Sequence, residues 1–179
     1  MKRLSFYSFL CAVLLMSVNV FGQFAGGNGT LANPYQVATA SQFRAIANSD
    51  AFFVQTADIT FDESTDFPKI ESFSGIYDAQ GYKIIAQSDK TKPLFGTVTG
   101  TITRLIVEMG EYTVQGGAIL CNKLTVGTIS YCNIQGNVTG VTAGGIVNTM
   151  NSGLVEYCCF TGNVTATGYG SIGYGNAGG

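Results

Sequence analysis

The chain has 179 residues, a formal net charge of −2 and no histidine. Without imidazole, Ser-His-Asp and Cys-His catalytic arrangements and histidine-ligated metals are excluded, and the acidic balance leaves no basic footprint for nucleic acid. Charged residues make up only 11% of the chain while glycine occurs 24 times, so solubility rests on uncharged polar groups and long helices are broken before they form.

Residues 1–22 read as a secretory signal. Lys2 and Arg3 give a positive start, Phe6 to Val18 is apolar apart from Ser8 and Ser17, and Val20-Phe21-Gly22 suits cleavage before Gln23. The apolar run is too short to span a bilayer, and Leu10 stands where a lipid-attachment site before Cys11 needs a small residue. A secreted or cell-surface protein is expected, with no transmembrane segment in the mature chain. That chain would keep about 157 residues, enough for one domain, and a net charge near −4, since Lys2 and Arg3 leave with the signal.

Residues 23–93 read as an N-terminal cap and first strands. Gly26-Gly-Asn-Gly29 is a flexible lead and Pro34 to Val37 a short strand. Thr39-Ala-Ser-Gln42 matches a capping box, and Phe43, Ile46 and Ala47 then form one apolar stripe, so a helix from about Ala40 to Asn48 is predicted. Phe52 to Phe61 reads as strand, and Phe73 to Ile85 as two strands joined by an Asp78-Ala-Gln-Gly81 turn. The densest acidic group, Asp58, Asp62, Glu63 and Asp66, lacks EF-hand spacing and the glycine a tight calcium loop needs. It reads as a solvated loop, and no metal or cofactor is expected. Asp78 and Asp89 cannot be placed as the carboxylate pair that glycoside hydrolysis requires.

Residues 94–179 carry a repeat. Gly127-Thr-Ile-Ser-Tyr-Cys-Asn-Ile-Gln-Gly-Asn-Val-Thr139 returns 26 positions later as Gly153-Leu-Val-Glu-Tyr-Cys-Cys-Phe-Thr-Gly-Asn-Val-Thr165, and Gly100-Thr-Ile102 precedes Gly127 by 27. A second marker, Gly117-Ala-Ile119, Gly144-Gly-Ile146 and Gly170-Ser-Ile172, runs at spacings of 27 and 26. A fixed period in this range marks a stacked, quasi-one-dimensional fold. The residues are β-branched and polar with no 3.6-residue periodicity. The prediction is an all-β fold, a right-handed parallel β-helix of coils about 26–27 residues long, with a small α/β N-terminal cap. Coils would stack about 4.8 Å apart. Ile102, Ile129 and Val155 would form one internal ladder, and Ile119, Ile146 and Ile172 another.

The period also places side chains outside the core. Cys132 falls over Cys158 with Cα atoms roughly 5 Å apart, which suits either a cross-coil disulfide or a ladder of free thiols packing as small apolar groups. Asn137 and Asn163 match a glycosylation pattern but read better as a stacked amide ladder at a bend. Tyr131 and Tyr157 would stack as an exposed strip for glycan or protein binding, or cover a corner of the coil. The next Gly-x-Ile should begin at Gly179, where the sequence stops. The stack is therefore expected to be incomplete at its C-terminus, continued by a downstream domain or covered by a capping partner.

Taken in order, Asn33-Pro-Tyr-Gln-Val37, Ala57-Asp-Ile59, Phe73-Ser-Gly-Ile-Tyr-Asp-Ala-Gln-Gly-Tyr-Lys-Ile84, Leu94-Phe-Gly96 and the Gly-x-Ile-x-x-Cys…Gly-Asn-Val-Thr units resemble GLUG-type repeats of secreted bacterial proteins. Such repeats occur in surface adhesins and in the N-terminal regions of immunoglobulin-A-cleaving metalloendopeptidases. The resemblance covers roughly residues 27–179. It implies a β-helix that displays or supports other parts and transfers no catalytic residue. The peptidase zinc motif HExxH has no counterpart here. Tyr131 and Tyr157 stand where these repeats often carry Asn before Cys, so an internal Asn ladder at that corner is not expected. The function expected is a non-catalytic adhesin or structural scaffold that meets a host protein or glycan. The alternatives are a fragment of a polysaccharide-acting β-helix enzyme and the non-catalytic N-terminal region of a larger secreted peptidase.

Overall fold

A computed structural model describes residues 23–46, 49–62, 67 and 70–168. The signal segment, Ala47, Glu63, Asp66, Tyr169, Tyr174 and the Gly170-Ser-Ile172 marker lie outside the described residues. Strand β1 (Tyr35–Val37) and helix α1 (Ala40–Arg44) lead into a coil of β2 (Phe52–Gln55), β3 (Ile59–Phe61) and β4 (Ile70–Phe73). The second coil is β5 (Ile76–Asp78), β6 (Lys83–Ala86) and β7 (Phe95–Val98). The third is β8 (Thr101–Thr103), β9 (Ile106–Val114) and β10 (Cys121–Leu124). The fourth is β11 (Thr128–Ser130), β12 (Asn133–Gly140) and β13 (Val147–Met150), and β14 (Leu154–Glu156), β15 (Cys159–Thr161) and β16 (Val164–Ala166) begin a fifth.

Equivalent strands pair in parallel into three ladders, ordered β1-β2-β5-β8-β11-β14, β4-β7-β10-β13 and β3-β6-β9-β12-β15, with β16 also on β12. The chain is a parallel β-solenoid of about four turns, wound right-handed as strand–crossover–strand connections are. Among the described residues no helix is long and apolar enough to cross a membrane.

Ile102, Ile129 and Val155 stand in register as the period requires. Ile102 and Ile129 are buried, and Val155, on the last coil, is half-buried. The second marker is displaced by one residue. Cys121 aligns with Val147, and the Leu120 amide donates to the Ile146 carbonyl, so Ile146 lies over Leu120 rather than Ile119. The amide ladder forms: Asn163 donates from both its backbone and its side chain to Asn137 Oδ1, at 3.1 and 3.2 Å. Asn137 in turn donates to the Glu111 carbonyl.

The stack also begins earlier than the repeat shows. Phe53 aligns with Tyr77, and Tyr77 with Ile102, so β2–β6 within residues 23–93 are already coils. Phe52 to Phe61 is therefore two strands around a corner, and Asp78 to Gly81 turns one side of a coil into the next. What remains as cap is β1 and α1. Thr39 accepts from the Gln42 amide at 3.2 Å, and Gln42 Oε1 accepts from the Ala38 amide at 2.7 Å, one residue before the N-cap. The helix drives Phe43 into the open end of the coil interior, where its ring meets Phe61, Tyr77 and Phe95. Below that plug a small polar network is satisfied within the core. The Tyr77 hydroxyl donates to Gln55 Oε1 at 2.8 Å, and Gln55 Nε2 donates to the Ala57 and Lys83 carbonyls.

Candidate functional site

Every strand of the β5-β8-β11-β14 ladder is three residues long and ends at a sharp corner. The corner is turned by a residue in the left-handed region: Gln80, Arg104, Tyr131 and Tyr157, at φ 53°, 56°, 55° and 53°. These are the only non-glycine residues with positive φ among those described. At β11 and β14 the corner residue points outward while the next residue, Cys132 or Cys158, points inward.

For an L-residue this conformation costs about 1–2 kcal/mol, and Asn tolerates it better than bulky side chains do. Two tyrosines here are therefore not chosen by the backbone. Their rings stack at 4.9 Å between centroids and 10° between planes. Such a pair returns about 0.5–1.5 kcal/mol, enough to offset one strained corner but not two. Tyr131 is nonetheless 59% exposed and Tyr157 72% exposed, so burial does not make up the difference. Strained, exposed aromatic residues that do not raise stability point to a role outside folding. Tyr131→Asn and Tyr157→Asn should each leave stability within about 1 kcal/mol of the parent, strain relief roughly cancelling lost stacking. Thermal unfolding of each variant checks this.

The ladder continues as polar groups toward the N-terminal end. Arg104 Nε donates to Asp78 Oδ1 at 2.8 Å, and its Nη2 to Asp78 Oδ2, a forked ion pair that also raises the Arg104 pKa, hydrogen bonding contributing most. Asp78 Oδ1 accepts from the Gln80 amide too. Ser130 Oγ donates to Thr103 Oγ1 at 3.1 Å on the flat face beside the corner.

Directly behind the tyrosines lie the two predicted cysteines. Cys132 is buried and Cys158 half-buried, both as thiols, and the Cys132 amide donates to Cys158 Sγ at 3.4 Å. The hydrogen bond between the thiols and burial push Cys132 up. The same thiol hydrogen bond, reinforced by the Cys132 and Glu156 backbone contacts, lowers Cys158 to about 7.

The other candidates dissolve into structure. Of the other described tyrosines, Tyr77 is buried in the core, Tyr35 stacks on Phe24, and Tyr82 and Tyr112 are exposed at 38% and 39%. Asp58 accepts from the Lys83 amide, and Asp89 from the Thr113 amide, so both tie coils together. Among the described residues no three His, Cys, Asp or Glu side chains converge.

One feature escaped the sequence. A shallow cleft of about 250 Å³ lies on the β4-β7-β10 face, between Ile70, Glu71, Lys92, Pro93 and Asn122 over a floor of Gly96 and Gly116. Its lining comes from three coils, and only Gly96 falls in a quoted segment, Leu94-Phe-Gly96. Glu71 is the only carboxylate in it, where glycoside hydrolysis requires two. No family model, curated protein or solved structure matches the chain.

Proposed function

We propose that the chain is a non-catalytic β-solenoid module of GLUG-type repeats, secreted or held at the cell surface, that acts as an adhesin or scaffold and meets glycans through its tyrosine ladder. The observation that carries this reading is the Tyr131–Tyr157 stack, exposed on a rigid corner at a backbone conformation that disfavours it. A phenol presents an apolar edge and a hydroxyl that donates and accepts. Two phenols about 5 Å apart match the alternation of apolar ring and hydroxyl along a sugar chain. Held by a parallel ladder, they lose little entropy on binding, which favours affinity.

The test is a screen of the intact protein on an array of mucin-type and plant glycans, with immobilised collagen and fibronectin alongside. Each bound polysaccharide is then assayed for new reducing ends and for unsaturated uronate absorbance. Binding to glycan without product release is expected. Product release that disappears in Glu71→Gln would instead establish the enzyme alternative, on the cleft rather than on the ladder.

A further inference from the structure

We propose that Cys132 and Cys158 are a redox-controlled staple that joins the fourth and fifth coils directly behind the tyrosine ladder. The staple does not depend on what the tyrosines bind.

The register selects this pair. Ser130 aligns with Glu156 and Asn133 with Cys159, which places Cys132 over Cys158 at the same inward position of neighbouring parallel coils. Neighbouring strands lie about 4.8 Å apart, inside the Cα range that a disulfide spans. Cys158 Sγ already reaches the Cys132 amide at 3.4 Å, and Cys132 Sγ lies 3.3 Å from its own Ser130 carbonyl, so both sulfurs occupy one small space. Competing pairings fail on geometry. Cys159 faces outward in β15, on the opposite side of the strand from Cys158, and Cys121 is buried in the separate β7-β10-β13 ladder.

The two thiols are unequal in a way that orders the reaction. Cys158 is half-buried and favours its thiolate, so it is the one that attacks. With a low-molecular-weight disulfide such as oxidised glutathione, Cys158 Sγ⁻ attacks one glutathione sulfur. The glutathione S–S bond breaks and one glutathione thiolate leaves, taking up a proton from water. Cys132 then gives up its proton and its sulfur attacks Cys158 Sγ, forming the protein disulfide and expelling the second glutathione as thiol. Two protein thiols are oxidised as one external disulfide is reduced to two thiols. Because Cys132 is buried, its sulfur is slow to lose its proton, so the second step is the slow one and the mixed disulfide gathers on Cys158.

The consequence falls on the end of the stack. Val155, Cys158 and Phe160 are only half-buried and Leu154 is 49% exposed, so β14–β16 are the least enclosed strands described. Bridging them to β11–β12 would hold the fifth coil closed, and with it the ring spacing of Tyr131 and Tyr157.

The full chain, equilibrated in reduced or oxidised glutathione and trapped with iodoacetamide, is cut with trypsin and a Glu-specific protease. After Lys123 these enzymes cut only at Glu156, so Cys132 and Cys158 fall in peptides 124–156 and 157–179. The oxidised sample should show these two peptides disulfide-linked, in Cys159→Ser as in the parent, with the link absent in Cys158→Ser. Amide hydrogen exchange in β14–β16 should slow about tenfold on oxidation. A bridge between any other cysteines, no bridge in oxidised glutathione, or unchanged exchange in β14–β16 would overturn the proposal.

Discussion

Replacing Gly100 with alanine should remove about 3 kcal/mol or more of stability, a large part of what a domain of this size possesses. A Cβ at this position would sit 2.0 Å from the Gly75 carbonyl oxygen and 2.5 Å from the Ser74 carbonyl carbon. Both are backbone atoms of the coil beneath. They cannot retreat, because that same Gly75 carbonyl accepts from the Thr101 amide at 2.9 Å and holds the ladder together. The arrangement repeats up the stack. A Cβ on Gly75 would meet the Ala51 oxygen at 2.1 Å, and one on Gly127 the Gly100 oxygen at 2.3 Å. The glycine that opens each Gly-x-Ile unit is thus a steric requirement of coil spacing. Gly81→Ala is the control. Gly81 has φ 85° with nothing within 4 Å of a built Cβ, so only the left-handed cost of about 1–2 kcal/mol applies. Urea unfolding of the two variants should separate them clearly.

The second large effect lies at the other end of the interior. Phe43→Ala should cost about 3–5 kcal/mol. The ring is fully buried, with Phe61, Tyr77 and Phe95 at centroid distances of 5.9, 5.5 and 5.8 Å from three different sides of the coil. A solenoid exposes apolar interior wherever its stack ends, and α1 closes the first end with this one side chain. Removing it opens a cavity that the rigid ladders cannot collapse to fill. Phe43→Leu, which keeps most of the volume, should cost less than about 1.5 kcal/mol. Denaturant midpoints give the comparison. Hydrogen exchange should place the loss in β2, β3 and β5 rather than in β11–β14.

What could be read from the sequence was whatever the glycine spacing carries. The 26-residue step from Gly127 to Gly153 set Ile129 over Val155, Asn137 over Asn163, Cys132 over Cys158 and Tyr131 over Tyr157, and the ladders and contacts show each of these pairs together. The earlier coils were hidden because Phe53 and Tyr77 occupy the inward position that Ile holds later, at offsets of 24 and 25 residues. The slip at Ile119 has a different cause. Between the third and fourth coils the offset is 27 at Val107–Ile134, falls to 24 at Val114–Val138 and recovers to 26 at Cys121–Val147. Extra residues around Gly110 are absorbed as a bulge and then compensated in the following loop, so no single period describes the whole turn. The left-handed corner was equally invisible, since nothing in the residue types of Arg104, Tyr131 or Tyr157 announces positive φ. That corner is what turns the two repeated tyrosines outward.

The most direct measurement is a titration of the glycan that binds best in the array against the parent protein and the Tyr131→Asn/Tyr157→Asn double variant, with thermal unfolding recorded on both. Central aromatic contacts typically carry about 2 kcal/mol, so the double variant should bind about thirtyfold more weakly while unfolding within a few degrees of the parent. Unchanged affinity in a variant that is folded and equally stable would contradict the account and leave the tyrosine ladder as cover for a corner of the coil.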